Sequence, residues 1–360
     1  MLKKFKQATL RSLKSSGVST LVQNSRWRRQ RLLILAYHGV STDDQHLWNG
    51  SMYMSPEMFR ARLETIVKSG CAVLPLAEAV TRLYANDLPD RSVAITFDDG
   101  NFDFQQNAFP LLKEFGFPAT LYLTTFYSHY NKPIFGIFCE YLLWKGQGKT
   151  LDLQPITGRD LQIELTSDAA RRVAFQEINA FAQARRLPAE EKTALAENLG
   201  RQLNLDYDAL IEKRLFHLLA PEEVKQLAGA GADIQLHTHR HRTPLDRELF
   251  LREIDDNRQS IQAMTGLRAS HFCYPSGVYD HRLLPWLQEA GITSATTCEI
   301  GLAGPSSNPL LLPRLVDVSN LSPIEFESWL SGISVLLPRR TRVPRAKEQP
   351  ENNKRLATPS

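Results

Sequence analysis

Cysteine is scarce and scattered in this sequence. The 360-residue chain has four, Cys71, Cys139, Cys273 and Cys298, and no two form a C-x-x-C pair. Their spacing offers neither the signature of a zinc ribbon nor a disulfide framework, and it fits a reducing compartment. Long apolar runs are missing too: no stretch reaches the roughly 20 residues that a membrane-spanning helix needs. The basic start lacks the apolar core and small-residue cleavage site of a secretory signal. The longest early apolar run, residues 32–37, reads as a first strand. These absences give the expectation of a cytoplasmic protein, reaching at most the inner face of a membrane.

Acidic residues are absent from the first 42 positions, which hold nine Lys or Arg. Residues 338–360 carry seven basic and two acidic residues. Net charge is +4, so the body between these ends is strongly acidic. Residues 1–30 form a basic segment in which Leu2, Phe5, Leu10, Leu13, Leu21 and Val22 alternate with Lys and Arg. Such a segment can lie on an anionic lipid surface. The plainer alternative is a poorly ordered basic leader, because Gly17 and the serines around it interrupt the helical pattern. The tail from 338 to 360, rich in Arg, Pro, Asn and Lys, is expected to be disordered. No aromatic–basic interleaving of a nucleic-acid module appears, so no nucleic-acid partner is expected.

The body alternates strand with helix. "RLLILAYHGV" (31–40), "CAVLPL" (71–76), "SVAITFDD" (92–99) and "PATLYLTT" (118–125) read as strands. "SPEMFRARLETIVKSG" (55–70) is a capped helix, opened by Ser55 and Pro56 and stopped by Gly70. This alternation predicts a parallel sheet covered by helices. It lapses over about 127–220, which reads as a long helical insertion, and resumes with "ADIQLHTH" (232–239) and "HFCYPSG" (271–277).

Two clusters carry chemistry, and each follows a strand-like run. In "VAITFDDGNFDF" (93–104), Asp98 and Asp99 stand side by side before Gly100. Adjacent carboxylates repel, and in a regular strand they face opposite sides, so their pairing points to a cation. One aspartate can bind it while the other stays free as a base. In "IQLHTHRHR" (234–242), His237 and His241 are four apart and share a face at either backbone period, whereas His239 joins them only in extended backbone. Two imidazoles and one carboxylate leave a position open for water, the arrangement of a catalytic zinc site.

T-F-D-D-G (96–100) and H-T-x-x-H (237–241) resemble the first two motifs of the polysaccharide deacetylases with a NodB homology domain. The resemblance spans roughly residues 30–335, interrupted by the insertion. It implies an α/β fold, a distorted (β/α)7 barrel, for residues 31–337, with its site at the C-terminal strand ends. It implies Asp98 as general base and Asp99, His237 and His241 as ligands of a divalent metal, with zinc the expected ion. The third motif is matched only in part by "CYPSG" (273–277): Tyr274, Pro275 and Ser276 are the candidate substrate and oxyanion residues, with the Ser276 N–H as donor. Cys273 stands where the family has an arginine, and Arg314 is the candidate replacement. The family's histidine acid is missing near "LLLPRLVDV" (310–318), and His38, ending a strand, is the substitute; a histidine bonded only to loop backbone is the alternative. His271 and His281 are read as loop histidines. The implied activity is metal-dependent removal of acetyl groups, N-acetyl foremost, from a polysaccharide or lipid-linked glycan. The competing reading is a catalytically impaired carbohydrate-binding protein that keeps the metal site.

Overall fold

The computed structural model describes residues 2–337. The tail expected to be disordered, 338–360, lies outside the described residues. Seven parallel strands close into a barrel: β1 (Leu33–Tyr37), β2 (Val93–Phe97), β3 (Thr120–Leu123), β4 (Asp233–Leu236), β5 (His271–Cys273), β6 (Ser294–Ile300) and β7 (Leu312–Val316). Each strand pairs with its sequence neighbours, and β7 returns to β1 through Leu35↔Leu315 and Ala36↔Val316. All five residues of β1 and of β2 are buried, as strands covered on both faces require. The barrel is distorted where β5 touches β4 through the single pair Leu236↔Phe272, and where the β6–β7 register slips between Thr296 and Ile300. Residues 71–76 do not form the expected strand: Val73 makes only an isolated bridge to Val93, because the chain turns at once into the helix Leu76–Ala85.

The basic N-terminus is built as helices rather than as a loose leader. The helix Leu2–Ser15 lies against the helix Pro323–Leu330. Leu10 is buried there, Lys6 reaches Glu325 at 3.0 Å, and Lys14 pairs with Glu327. Gly17 breaks the helical pattern as anticipated, but it does so in the left-handed conformation that lets a second helix, Val18–Gln23, follow. Arg28 is fully buried and bonds Leu330 O at 3.0 Å and Arg31 O at 2.7 Å. Among the described residues no helix is long and apolar enough to cross a membrane.

The insertion between β3 and β4 is helical, with the helices Phe135–Lys145, Asp168–Ala184, Ala189–Gln202 and Tyr207–Glu212. It also holds an antiparallel hairpin, Thr150–Asp152 with Gln162–Glu164, which the helical expectation did not include. Strands of three residues are too short to show a period of two. The insertion has its own core, in which Phe138, Tyr141, Ile178 and Leu199 are buried. That core extends to Tyr53 and Trp48 in the loop after β1. Lys145 bonds Asp44 at 2.8 Å, and Tyr141 bonds the same carboxylate. The insertion is thereby fastened beside the mouth of the barrel.

Candidate active site and metal centre

β2 ends at Phe97, and the next two side chains face one mouth of the barrel. Asp98 N–H still donates to Tyr37 O at 2.9 Å, which keeps Asp98 in line with β1. Asp99 then takes the left-handed conformation, with φ 76°, and Gly100 follows with φ 87°. This double left-handed turn brings both carboxylates to one side, which a continued strand would forbid. A Cβ at Gly100 would be driven into the Leu123 side chain. Gly100→Ala is therefore expected to destabilise the fold by about 1–3 kcal/mol, read as a lower urea midpoint; an unchanged midpoint would show that the turn tolerates a side chain.

β4 ends in the same way. Thr238 and His241 are both left-handed, with φ 63° and 53°. The turn carries His237 and His241 to one face, with ring centroids 4.9 Å apart. His239, between them, leaves that face: its Nδ1 meets Thr125 Oγ1 at 2.9 Å and its ring packs on Phe126.

Asp99 Oδ1 lies 3.2 Å from His237 Nε2 and 3.2 Å from His241 Nε2. One donor atom from each of the three residues falls within 4.8 Å of the others. Burial pushes the Asp99 carboxyl up, but its contacts with the two imidazoles prevail and hold it well below the usual range. Burial pulls His241 down, and the same carboxylate raises it above an ordinary histidine. His237 Nδ1 sits 2.8 Å from Cys273 O, an acceptor, so Nδ1 carries its hydrogen there and Nε2 is left to offer a lone pair. A carboxylate oxygen and two imidazole nitrogens converging in this way suit a divalent metal of the zinc type.

Asp98 stands beside this cluster, and with His237 and Cys273 it makes a second, buried trio whose donor atoms lie within 4.8 Å of one another. Arg314 grips it with both arms of the guanidinium, Nη1 to Oδ1 at 2.8 Å and Nη2 to Oδ2 at 2.7 Å. Burial raises the Asp98 carboxyl, and the charge and hydrogen bonds of Arg314 more than reverse it, leaving it below the ordinary range. Arg314 is itself fully buried and donates to Thr297 O at 2.9 Å and Thr96 Oγ1 at 3.1 Å. It also touches Cys273 Sγ at 3.1 Å, so Arg314 reaches from β7 to the position where Cys273 stands. His38 lies next to Asp98 on the open side, Nε2 to Oδ2 3.9 Å.

The third expected group is only partly brought in. Ser276 is exposed and left-handed, with φ 57°, in the turn after β5. Tyr274 departs from its expected place: its side chain is buried and its hydroxyl donates to Leu310 O at 3.0 Å, so only its backbone faces the turn. Pro275 is buried beside it. His271 is not a loop histidine but a strand residue, with Nδ1 2.8 Å from Ser294 Oγ.

Two supporting residues escaped the sequence reading. Asn257 is fully buried, accepts from His237 N–H at 3.0 Å and donates to Leu123 O and Thr125 Oγ1, both at 3.0 Å. Glu253 accepts from Arg240 N–H at 2.8 Å and Arg242 Nε at 2.7 Å. Both lie on the helix Arg247–Thr265, more than ten residues beyond the histidines. Their one sequence signal is a polar residue at helical spacing among the buried Phe250, Ile254 and Ile261.

The chain is thus a parallel seven-stranded barrel with a carboxylate–imidazole cluster and a clamped second carboxylate at its strand ends. A sequence profile described as polysaccharide deacetylase matches residues 85–147 and 180–295. A curated relative, YxkH of Bacillus subtilis (strain 168), provisionally named a polysaccharide deacetylase, is 33% identical over 94 residues. That match covers 26% of this chain and 32% of the relative, about a third of its length. Two solved structures share the fold. The deacetylase PplD of Streptococcus pyogenes, in complex with acetate, matches with TM-score 0.53 at 18% identity, over 82% of this chain and 96% of that one. IcaB from Ammonifex degensii matches with TM-score 0.53 at 18% identity, over 84% and 97%. The chain belongs to the polysaccharide deacetylase family, with its NodB-like barrel.

Proposed function

We propose that this protein is a metal-dependent hydrolase that removes acetyl groups, N-acetyl foremost, from a glycan. The observation that carries the reading is the convergence of Asp99, His237 and His241 beside an Asp98 that Arg314 holds in place. Asp99, His237 and His241 would hold the divalent ion, with zinc the best match to the donors. Bound there, such an ion supplies a polarised carbonyl oxygen and a water of lowered pKa.

The chain's own groups divide the remaining work. Asp98, ionised and fixed by the guanidinium fork, accepts the proton of the attacking water. His38, partly exposed beside it, donates a proton to the departing amine nitrogen. The Ser276 N–H, at the exposed turn that follows the His237-bonded Cys273, is the candidate donor to the oxyanion. Water adds to the acetyl carbon, the C–N bond breaks, and acetate and a free amine leave. The complex of PplD with acetate supports a product of this kind on the same barrel.

The alternative, a glycan-binding protein without turnover, rests on the missing third-motif arginine and the missing fifth-motif histidine. Arg314 meeting Asp98 in its stead favours the enzyme. For location, the N-terminal helix leaves Lys4, Arg11 and Phe5 exposed, which supports peripheral contact with an anionic lipid surface and a lipid-carried substrate. Acetate release measured across N-acetylated glycans, with and without a chelator, tests the function. Chelator-sensitive release is expected, restored by zinc. Release untouched by metal removal, or no release from any acetylated glycan, would overturn the reading.

A further inference from the structure

The insertion carries a groove that the hydrolytic chemistry leaves unused. It lies between the turn Phe126–His129 and the helix Ala189–Gln202 and encloses about 390 Å³. Small-molecule sites typically span about 300–1,000 Å³. Its walls include Phe126, Phe135, Tyr127 and Tyr130, the two tyrosines 41% and 45% exposed. The charged side chains lining it are Lys132 and Lys192, and neither has a carboxylate partner among the described residues. No Asp or Glu lines the groove; Glu190 and Glu191, on the first turn of the same helix, fall outside it.

The groove backs onto the histidine turn on the side to which His239 points. Phe126 N–H donates to His239 O at 2.8 Å, and the two rings meet edge to face with centroids 5.4 Å apart. Thr125, one residue earlier, contacts both His239 and Asn257, and Asn257 holds the His237 backbone.

Exposed tyrosine faces suit the C–H face of a sugar ring, and a pair of unpartnered ammonium groups suits anionic oxygen. We propose that the groove is a binding site for an anionic sugar residue of a glycan. Its ring stacks on Tyr127 or Tyr130, and its carboxylate or phosphate lies between Lys132 and Lys192. Naming the ligand a glycan rests on the deacetylase reading above.

Calorimetric titration with three acetylated oligosaccharides of equal length tests this: one neutral, one carrying a uronic acid, one carrying a phosphate monoester. The native protein is expected to bind an anionic ligand about tenfold more tightly than the neutral one, with a margin that shrinks in salt. A larger margin for the uronic acid or for the phosphate identifies which anion the groove takes. Lys132→Met with Lys192→Met is expected to erase the margin while acetate release from the neutral oligosaccharide stays unchanged. Lys192→Glu is expected to reverse it. Equal affinity for all three ligands, or a margin that survives the double substitution, overturns the binding site. Binding and acetate release are read separately. Lysine-dependent binding without acetate leaves the binding site standing and sinks the deacetylase; release without lysine dependence does the reverse.

Discussion

Asp98→Asn should leave metal content unchanged and lower turnover by about 10²–10⁴-fold, the usual worth of a positioned general base. Asparagine is the substitution of choice because of Arg314. That guanidinium is fully buried and its two Nη atoms end on Asp98. Either neutral substitution leaves the buried cation without its counter-charge, which typically costs about 3–5 kcal/mol, and alanine removes both acceptors as well. The amide keeps the shape and one acceptor oxygen while removing the basic carboxylate. Metal by elemental analysis, thermal unfolding and acetate release together separate the effects. Turnover near the native rate would remove Asp98 from the base role, and loss of metal would make it a ligand.

His237→Ala and His241→Ala should each strip the metal and with it the activity. The expected loss of metal affinity exceeds the roughly 10–100-fold that outer residues of a metal site contribute. The two variants need not fold equally well. His237 is buried and its ring is tied to Cys273 O, so its removal opens a cavity and frees that carbonyl, while the backbone bond to Asn257 stays. His241 is more exposed and sits at the edge of the turn, so His241→Ala should fold and still lose metal. Native-like metal content in a folded His241→Ala protein would refute the three-residue set.

Much of this was readable in the amino-acid order, for identifiable reasons. Parallel strands buried on both faces must be continuous apolar runs, so "LILAY" and "VAITF" announce themselves. The paired aspartates and the spaced histidines each lie within one short turn, so local spacing reports them. What stayed hidden depends on long-range contact. Leu10 and Lys6 dock the first helix on residues more than 300 positions away. The resemblance points to Arg314 as the replacement arginine, but its two-armed grip on Asp98 comes only with the barrel that closes β7 against β1. Tyr274 looked like a site residue because it stands inside the motif, yet its side chain faces the core. Asn257 and Glu253 act through another element's backbone, and their one local mark, a polar residue on the buried face of a helix, does not say which backbone they hold.

The aromatic cluster shared between the insertion and the loop after β1 limits how this protein can be trimmed or recombined. Trp48 and Tyr53 belong to the barrel's loop, while Tyr141 and Phe216 come from the first helix and the closing stretch of the excursion, and all four rings interlock. Deleting the excursion to reach a minimal catalyst would strip the covering from Trp48 and Tyr53 and leave Asp44 without Lys145. Grafting it onto another barrel would require transplanting that loop as well. The pair forms one inheritable unit, despite the hundred or so residues of chain between them.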